Sequence, residues 1–554
     1  MKNFKFLLMA ALAYIAVGCS DNPTVQTPDK PVKDTVVVTP SNPGDVVGKV
    51  IVGYQGWFTA QGDGSPDNKW GHFNFECWPD VSEYDKTYKS SYANLLNGQE
   101  ARSFSSWDQS TVNKHFEWMK TYGIDCAALQ RFANEITPGS SIKKFRDGIA
   151  TRVRNAAEAN GVKFYMMYDV SGWKDLEALK TDWTNTITAT SGLNLLSSTA
   201  YAKQNGKPVV SIYGLGYASH PSNAAQALEL INWFKAQGCY VIGSVPGQWR
   251  TGTGDSKSDF IETYKAFNMI SGWAVGRTVD ANYIQWVNGD RDFCLANNMD
   301  YQPCVYPGTS FYNSNNGSTT KNQLPRNHGN FLWSEFATLK NAGVKSVYVA
   351  MFDEVNEATQ IFKTAEDSTQ IPVGKWFLTL NADGVACSSD FYLRLTADGG
   401  RMLKGLIPYQ ASHPTPHYQR LKIGQTVSLK SMGNNLYVGV EATAAASLSA
   451  NNATVGTSGK FKIVDAGNGS IALLSLSNNK YVSTDNTGTT PLAAKSESIG
   501  TSEKFNETDG GNGSVSLKAV SNSMFVNVEN SGNHPLIAKL TISGVWRTFQ
   551  VEYY

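Results

Sequence analysis

Ser346-Val347-Tyr348-Val349-Ala350-Met351-Phe352-Asp353-Glu354-Val355-Asn356-Glu357-Ala358-Thr359-Gln360 carries an apolar run straight into a cluster of carboxylates. Residues 346–352 are β-branched, aromatic or small, as in a strand buried on both faces, and the first charges come where the run ends. Along a continuing strand, residues three apart point to opposite faces, so Glu354 and Glu357 converge only where the chain turns. Two carboxylates at the C-terminal end of a buried strand suit acid and base work on a bound substrate. The cluster reads equally as a solvated acidic loop that caps the next helix.

Working outward, seven more short apolar runs precede this one, at 50–54, 124–130, 163–169, 208–213, 239–243, 269–274 and 302–306. Amphipathic helical patterns lie between them at about 111–122, 142–160, 223–237 and 329–342. Eight strands alternating with helices predict an α/β fold, a (β/α)8 TIM barrel with insertions over residues 48–410. A doubly wound sheet is the other arrangement of such a pattern, but no Gly-rich phosphate-binding loop follows the first strand.

In a barrel the strand C-termini share one mouth, and the residues there form the candidate substrate site. They are Tyr54 and Trp57, Gln130 and Arg131, Asp169, Tyr213, Trp249 and Arg250, Trp273, Tyr306, and Asp353 beside the two glutamates. Aromatic rings that stack on sugar faces, next to Arg and carboxylates that bond hydroxyls, suit a glycan cleft. The long first loop adds Asp63, Trp70 and His72 from Gln-Gly-Asp-Gly-Ser-Pro-Asp-Asn-Lys-Trp-Gly-His. His72 has no Ser or Cys in a nucleophile setting, so it reads as a sugar-hydroxyl ligand or as a satisfied loop histidine.

Val-Gly-Tyr-Gln-Gly-Trp-Phe (52–58), Trp-Met-Lys-Thr-Tyr-Gly-Ile-Asp (118–125), Leu-Gln-Arg-Phe (129–132), Gly-Lys-Pro-Val-Val (206–210) and Met-Phe-Asp-Glu-Val-Asn-Glu-Ala-Thr (351–359) resemble bacterial members of glycoside hydrolase families 99 and 71, over about residues 48–405. Family 99 comprises (β/α)8 endo-acting α-mannosidases with an Asn-Glu-Trp-His-Glu-Gly pattern at strand eight, and Glu354 and Glu357 fall on its two glutamates. The resemblance implies a retaining glycosidase acting on a mannan-like α-linked glycan. Glu354 would deprotonate the substrate 2-hydroxyl, which attacks C1 to give an anhydro sugar, and Glu357 would serve as general acid and then base. Asp353, Val355, Asn356 and Ala358 stand where the family has Asn, Trp, His and Gly.

At the N-terminus, Lys2 and Lys5 precede an apolar stretch from Phe6 to Val17, the pattern of a signal peptide. It ends at Ile15-Ala16-Val17-Gly18-Cys19, which resembles the bacterial lipobox and implies a lipidated Cys19 and an envelope lipoprotein. Residues 20–47, with five prolines and no helical period, read as a disordered tether. A net charge of +1 without any Lys/Arg run argues against a nucleic-acid partner. Cysteines 77, 126, 239, 294, 304 and 387 form no CxxC pair and have no His at metal-ligand spacing, so neither a metal site nor a cofactor is expected. Cys126, Cys239 and Cys304 sit in or beside the apolar runs and read as core residues.

Beyond a linker at 411–424, the chain repeats every 44 residues: Leu429, Leu473 and Leu517; Asn434, Asn478 and Asn522; Tyr437, Tyr481 and Phe525; Leu448, Leu492 and Leu536; Phe461, Phe505 and Phe549. Three copies with several short strand patterns each predict a β-trefoil over 425–554, and the pattern around Tyr437-Val438 resembles fascin-like trefoils. Two function classes follow: an envelope glycoside hydrolase, or a surface lipoprotein that captures glycan without cutting it. Retention of both glutamates favours the first.

Overall fold

The computed structural model describes residues 41–467, 469–511 and 514–554, within one compact unit, Thr39–Tyr554. The signal peptide, Cys19 and residues 20–40 lie outside the described residues. The continuous apolar runs become parallel strands: β1 (Val50–Tyr54), β2 (Cys126–Phe132), β3 (Lys163–Asp169), β4 (Lys207–Tyr213), β5 (Tyr240–Val245), β6 (Met269–Gly272), β7 and β8 (Val347–Val349). Their order is β6-β5-β4-β3-β2-β1-β8, and Val50, Ile51 and Val52 face Val347, Tyr348 and Val349. β7 is in two pieces, because Pro303 has no N–H to give the ladder. Asp300–Tyr301 pairs with β6 and Cys304–Val305 with β8. The result is a TIM-like parallel sheet whose strands are buried on both faces.

Helices α1 (Gln109–Thr121), α2 (Ser141–Asn160), α3 (Ala224–Ala236), α4 (Tyr283–Ala296), α5 (Asn330–Asn341) and α6 (Phe391–Leu403) connect or follow these strands. Their ends follow from local chemistry: the Ser140 hydroxyl accepts from the Lys143 N–H at 3.2 Å, and Gly161 closes α2 in the left-handed region at φ 68°. The six cysteines from 77 to 387 are free thiols, all buried.

The tether reading ends earlier than its boundary at residue 47. Val46 and Val47 are buried and their N–H groups share the Gln204 side-chain oxygen, while the Ser41 N–H bonds Asp300 at 3.0 Å. That apolar pair gives the chain a foothold just before β1.

The second region is a separate antiparallel, barrel-like sheet of twelve strands, β9 to β20: Thr426–Ser431, Tyr437–Val440, Leu448–Asn452, Phe461–Gly467, Ser470–Ser475, Tyr481–Ser483, Ala493–Ser496, Phe505–Gly511, Ser514–Ala519, Phe525–Glu529, His534–Leu540 and Phe549–Tyr553. The leucines of the 44-residue period and Phe461, Phe505 and Phe549 are buried together in its own core. The period also appears in the pairing, since Tyr437, Tyr481 and Phe525 face Asn452, Ser496 and Leu540. Between the two regions lies a charged seam. Lys363 bonds Glu83 at 2.6 Å, Lys422 approaches the same carboxylate at 3.8 Å, and Glu507 accepts the N–H groups of Arg420 and Leu421.

Candidate active site

Strand β8 stops at Val349, and the segment that follows doubles back on itself: the Met351 N–H donates to the Thr359 carbonyl at 2.8 Å, across a cis Ala350–Met351 peptide. Two tight hydrogen bonds shape the turn between, Val355 N–H to Asp353 O at 2.8 Å and Glu357 N–H to Glu354 O at 3.3 Å. The three-residue spacing of the glutamates is therefore resolved by a β-turn. Two further strand-end loops pin it. The Val355 carbonyl accepts the N–H groups of Glu76 and Cys77, and the Glu357 carbonyl accepts the Ser310 N–H at 3.0 Å and the Thr309 hydroxyl at 2.8 Å.

Both oxygens of Glu354 are acceptors: Oε1 takes the Gln55 amide at 2.8 Å and Oε2 takes the Thr359 hydroxyl at 2.7 Å. Burial and then the charge of Glu357 push the Glu354 carboxyl well above the usual range, while the two donors pull it down. Glu357 is half-buried, and among the described residues no side chain donates to its carboxylate. Burial, then the charge of Glu76, lifts it to about 7. Glu76 is fully buried in the first loop, held by the Ser310 hydroxyl at 2.9 Å and by the N–H groups of Asn313 and Ser314 at 2.5 and 3.0 Å. Ser310 thus bonds the Glu76 carboxylate through its hydroxyl and the Glu357 backbone through its N–H.

Around this pair the structure gathers part of the expected set. Asp169 accepts from the Gln130 amide at 2.7 Å and from the Ser171 N–H at 2.7 Å, and burial raises its carboxyl. Tyr213 is within electrostatic reach of both Asp169 and Glu354 and meets Trp273 edge-on at 5.1 Å. Tyr348 lies beside Trp273 and also senses the Glu354 charge. A Cβ on Gly53 would stand 2.2 Å from the Tyr348 hydroxyl, so glycine is what lets β1 pass there. In the first loop, Trp57 stacks between His72, at 4.0 Å and 7°, and Phe132, at 5.6 Å and 14°. Burial and Arg146 push His72 down to about 4, which keeps its ring neutral. Arg146 covers Phe132, ion-pairs with Glu135 and donates to the Gln55 carbonyl at 3.2 Å.

Other expected site residues face elsewhere, because side chains alternate along a strand and the neighbour of an inward residue points out. Gln130 and Asp169 bond each other on the face that Tyr213 shares with Glu354, whereas Arg131 is buried behind the sheet against Asp182, at 2.6 Å, and Asp147. Tyr54 bonds His115 at 2.9 Å, Trp249 and Arg250 both bond Asp290, and Tyr306 donates to the Arg277 carbonyl at 2.7 Å. Asp63 staples its own loop through Ala60, Ser65 and Ser105, and Trp70 packs on Phe73. Asp353 is wholly buried and clamps β8 to β1 by accepting the Gln55 and Gly56 N–H groups, each at 2.8 Å. Burial lifts it to about 6. Gln55, Thr359, Tyr348 and Glu76 escaped the sequence reading. The first three lie in or beside stretches already singled out, and Glu76 lies in the long first loop, where nothing in the sequence set it apart from its neighbours.

No protein-family profile and no curated protein matches the chain. Among solved structures, it is similar to the GH99 endo-alpha-mannosidase from Bacteroides thetaiotaomicron at 16% identity and a TM-score of 0.46, covering 65% of this chain and 98% of that one. It is similar to a glycoside hydrolase-like protein at 14% identity and a TM-score of 0.38, covering 66% and 97%. It is also similar to the designed three-fold symmetric protein ThreeFoil at 19% identity and a TM-score of 0.21, covering 23% of this chain and 96% of that one.

Proposed function

We propose that this chain is a retaining glycoside hydrolase, cutting an α-linked, mannan-like glycan with Glu354 and Glu357 at the mouth of a (β/α)8 barrel, next to a fascin-like β-trefoil. The barrel reading is supported by the strand path, whose two ends, Asp300–Tyr301 and Cys304–Val305, belong to one strand. The observation that carries the function is the asymmetry of the pair. Both Glu354 oxygens already accept hydrogen bonds, while the Glu357 carboxyl is left for a ligand.

At neutral pH two such carboxyls share one proton. In this reading the proton rests on Glu357, because the Gln55 amide and Thr359 hydroxyl donate to the ionised Glu354 and offset the burial that raises it. In the first step Glu354 takes the 2-hydroxyl proton as that oxygen attacks C1, and Glu357 gives its proton to the departing glycosidic oxygen. In the second, Glu357 takes a proton from water as the water opens the anhydro sugar at C1, and Glu354 returns its proton to O2. Two inversions at C1 leave the configuration retained. Tyr213, Trp273 and the Trp57 slab are the sugar-stacking surfaces in this reading.

We further assign Cys19 as the lipid anchor of an envelope protein; its test is release from membranes in Cys19→Ser. For the catalytic reading, the purified protein is incubated with α-mannans and α-glucans and new reducing ends are counted. Cleavage of at least one supports it. Retention of glycan on the protein without cleavage of any would favour the glycan-capturing alternative.

A further inference from the structure

The antiparallel region carries its own internal control. Its three repeats make the same single 3-10 turn at equivalent places, Thr457–Gly459, Thr501–Glu503 and Val545–Arg547, each entered from a glycine. Two repeats build it from polar sequences, Asn-Ala-Thr-Val-Gly-Thr-Ser (452–458) and Ser-Glu-Ser-Ile-Gly-Thr-Ser (496–502). The third writes Leu-Thr-Ile-Ser-Gly-Val-Trp (540–546). Val455 and Ile499 are half-buried in their repeats, but the third places Ser543 there and moves its isoleucine one residue earlier, to the surface. Leu540, Ile542 and Val545 are 36%, 75% and 56% exposed. Leu540 pairs with Phe525, where the sister repeats pair tyrosine with Asn452 or Ser496.

The backbone does not call for these side chains, since the sister repeats form the same turn without them. They are aliphatic, so they have neither the flat ring that stacks on a sugar nor a group that bonds its hydroxyls. Trp546, next to Val545 in the chain, is half-buried by Gly433 and packs on the region's core. The charges in residues 539–548 are Lys539 and Arg547, and Lys518 lies 5.8 Å from the Phe525 ring centre. The acid in contact is Glu529, which pairs with Lys539. An exposed aliphatic tip followed by a tryptophan and flanked by cations is the composition of a segment seated in a bilayer interface.

We propose that loop 540–547 docks on an anionic lipid surface, with Leu540, Ile542 and Val545 entering the acyl boundary and Lys518, Lys539 and Arg547 facing the phosphates. This contact is independent of Cys19 and of the glycosidase reading. The test takes Thr39–Tyr554, which lacks the N-terminal segment, and sediments it with vesicles of phosphatidylglycerol and phosphatidylcholine or of phosphatidylcholine alone. The protein is expected to sediment with the anionic vesicles, less so as salt rises. Leu540→Asn/Ile542→Thr/Val545→Thr restores residues that the first repeat carries at 452, 454 and 457, so folding should be kept, as the thermal midpoint will show. It should lower the partition coefficient at least about tenfold. Absence of parental binding, or equal binding by the triple variant, overturns the proposal. A dimer or a glycan complex that the triple variant abolishes, without any vesicle binding, overturns it too and gives the loop to that occupant.

Discussion

The two regions of this molecule use polar side chains in opposite ways. In the antiparallel region the same group recurs three times: Asn434, Asn478 and Asn522 each donate to the carbonyl of Ala450, Ala494 or Ala538, at 2.7, 2.8 and 3.0 Å. Each also accepts from the backbone two residues on, so its job is to hold a hairpin. In the parallel region the polar groups at the strand ends never repeat. Gln55, Gln130, Asp169, Tyr213 and the two glutamates are each unique, and several are held against their ordinary ionisation. Repetition marks what the fold needs. Singularity, in a scaffold of equivalent strands, is what the proposed chemistry rests on.

That contrast can be broken experimentally. The largest expected effect is at Glu354: Glu354→Gln should slow turnover on every substrate by about 10²–10⁴-fold, because it removes the base that frees the attacking oxygen. Rate loss confined to poor leaving groups would give Glu354 the other role.

The next effect is on stability. Glu357 is lifted to about 7 in the folded chain from an ordinary value of 4.5, so the folded state binds its proton more tightly than the unfolded one. The resulting stabilisation is fully present below about pH 4.5 and is lost as pH rises through 7. Glu357→Gln should therefore be more stable than the parent at pH 8, by on the order of 1–3 kcal/mol, and equal to it near pH 4 in denaturant titrations. A variant destabilised at both pH values would mean the side chain is a structural partner.

Smaller and equal effects are expected in the repeats. Asn434→Ala, Asn478→Ala and Asn522→Ala should each cost about 1–2 kcal/mol in urea unfolding and leave turnover unchanged. A change in turnover from any one of them would blur the distinction between the regions. The smallest effect belongs to Glu76→Gln, which removes the charge behind Glu357 and should move the basic limb of the pH–rate profile down by less than about one unit. An unmoved limb would make Glu76 only a loop anchor.

What the sequence disclosed follows the same division. β1 and β3 were legible to the residue because strands buried on both faces are apolar through their middles, and the 44-residue period was legible because each third buries the same leucine and phenylalanine. The site was legible only in outline. Strand β8 pairs over three residues, and the rest of its apolar run packs inside the returning turn, a distinction hydrophobicity cannot make. Arg131 and Tyr54 were assigned to the mouth because strand ends were read without the phase of alternation, which pairing supplies. Glu76 contacts the Ser310 loop across 234 residues of chain, and nothing local announces such a contact.

The most direct measurement is the leaving-group dependence of Glu357→Gln. The variant's rate is compared with the parent's on the natural glycan and on an aryl glycoside whose phenol leaves without protonation. If Glu357 is the acid, the natural glycan should suffer by about 10²–10⁴-fold more than the aryl glycoside. Equal losses on both, or full activity on the glycan, would contradict the assignment of this turn as the catalytic centre.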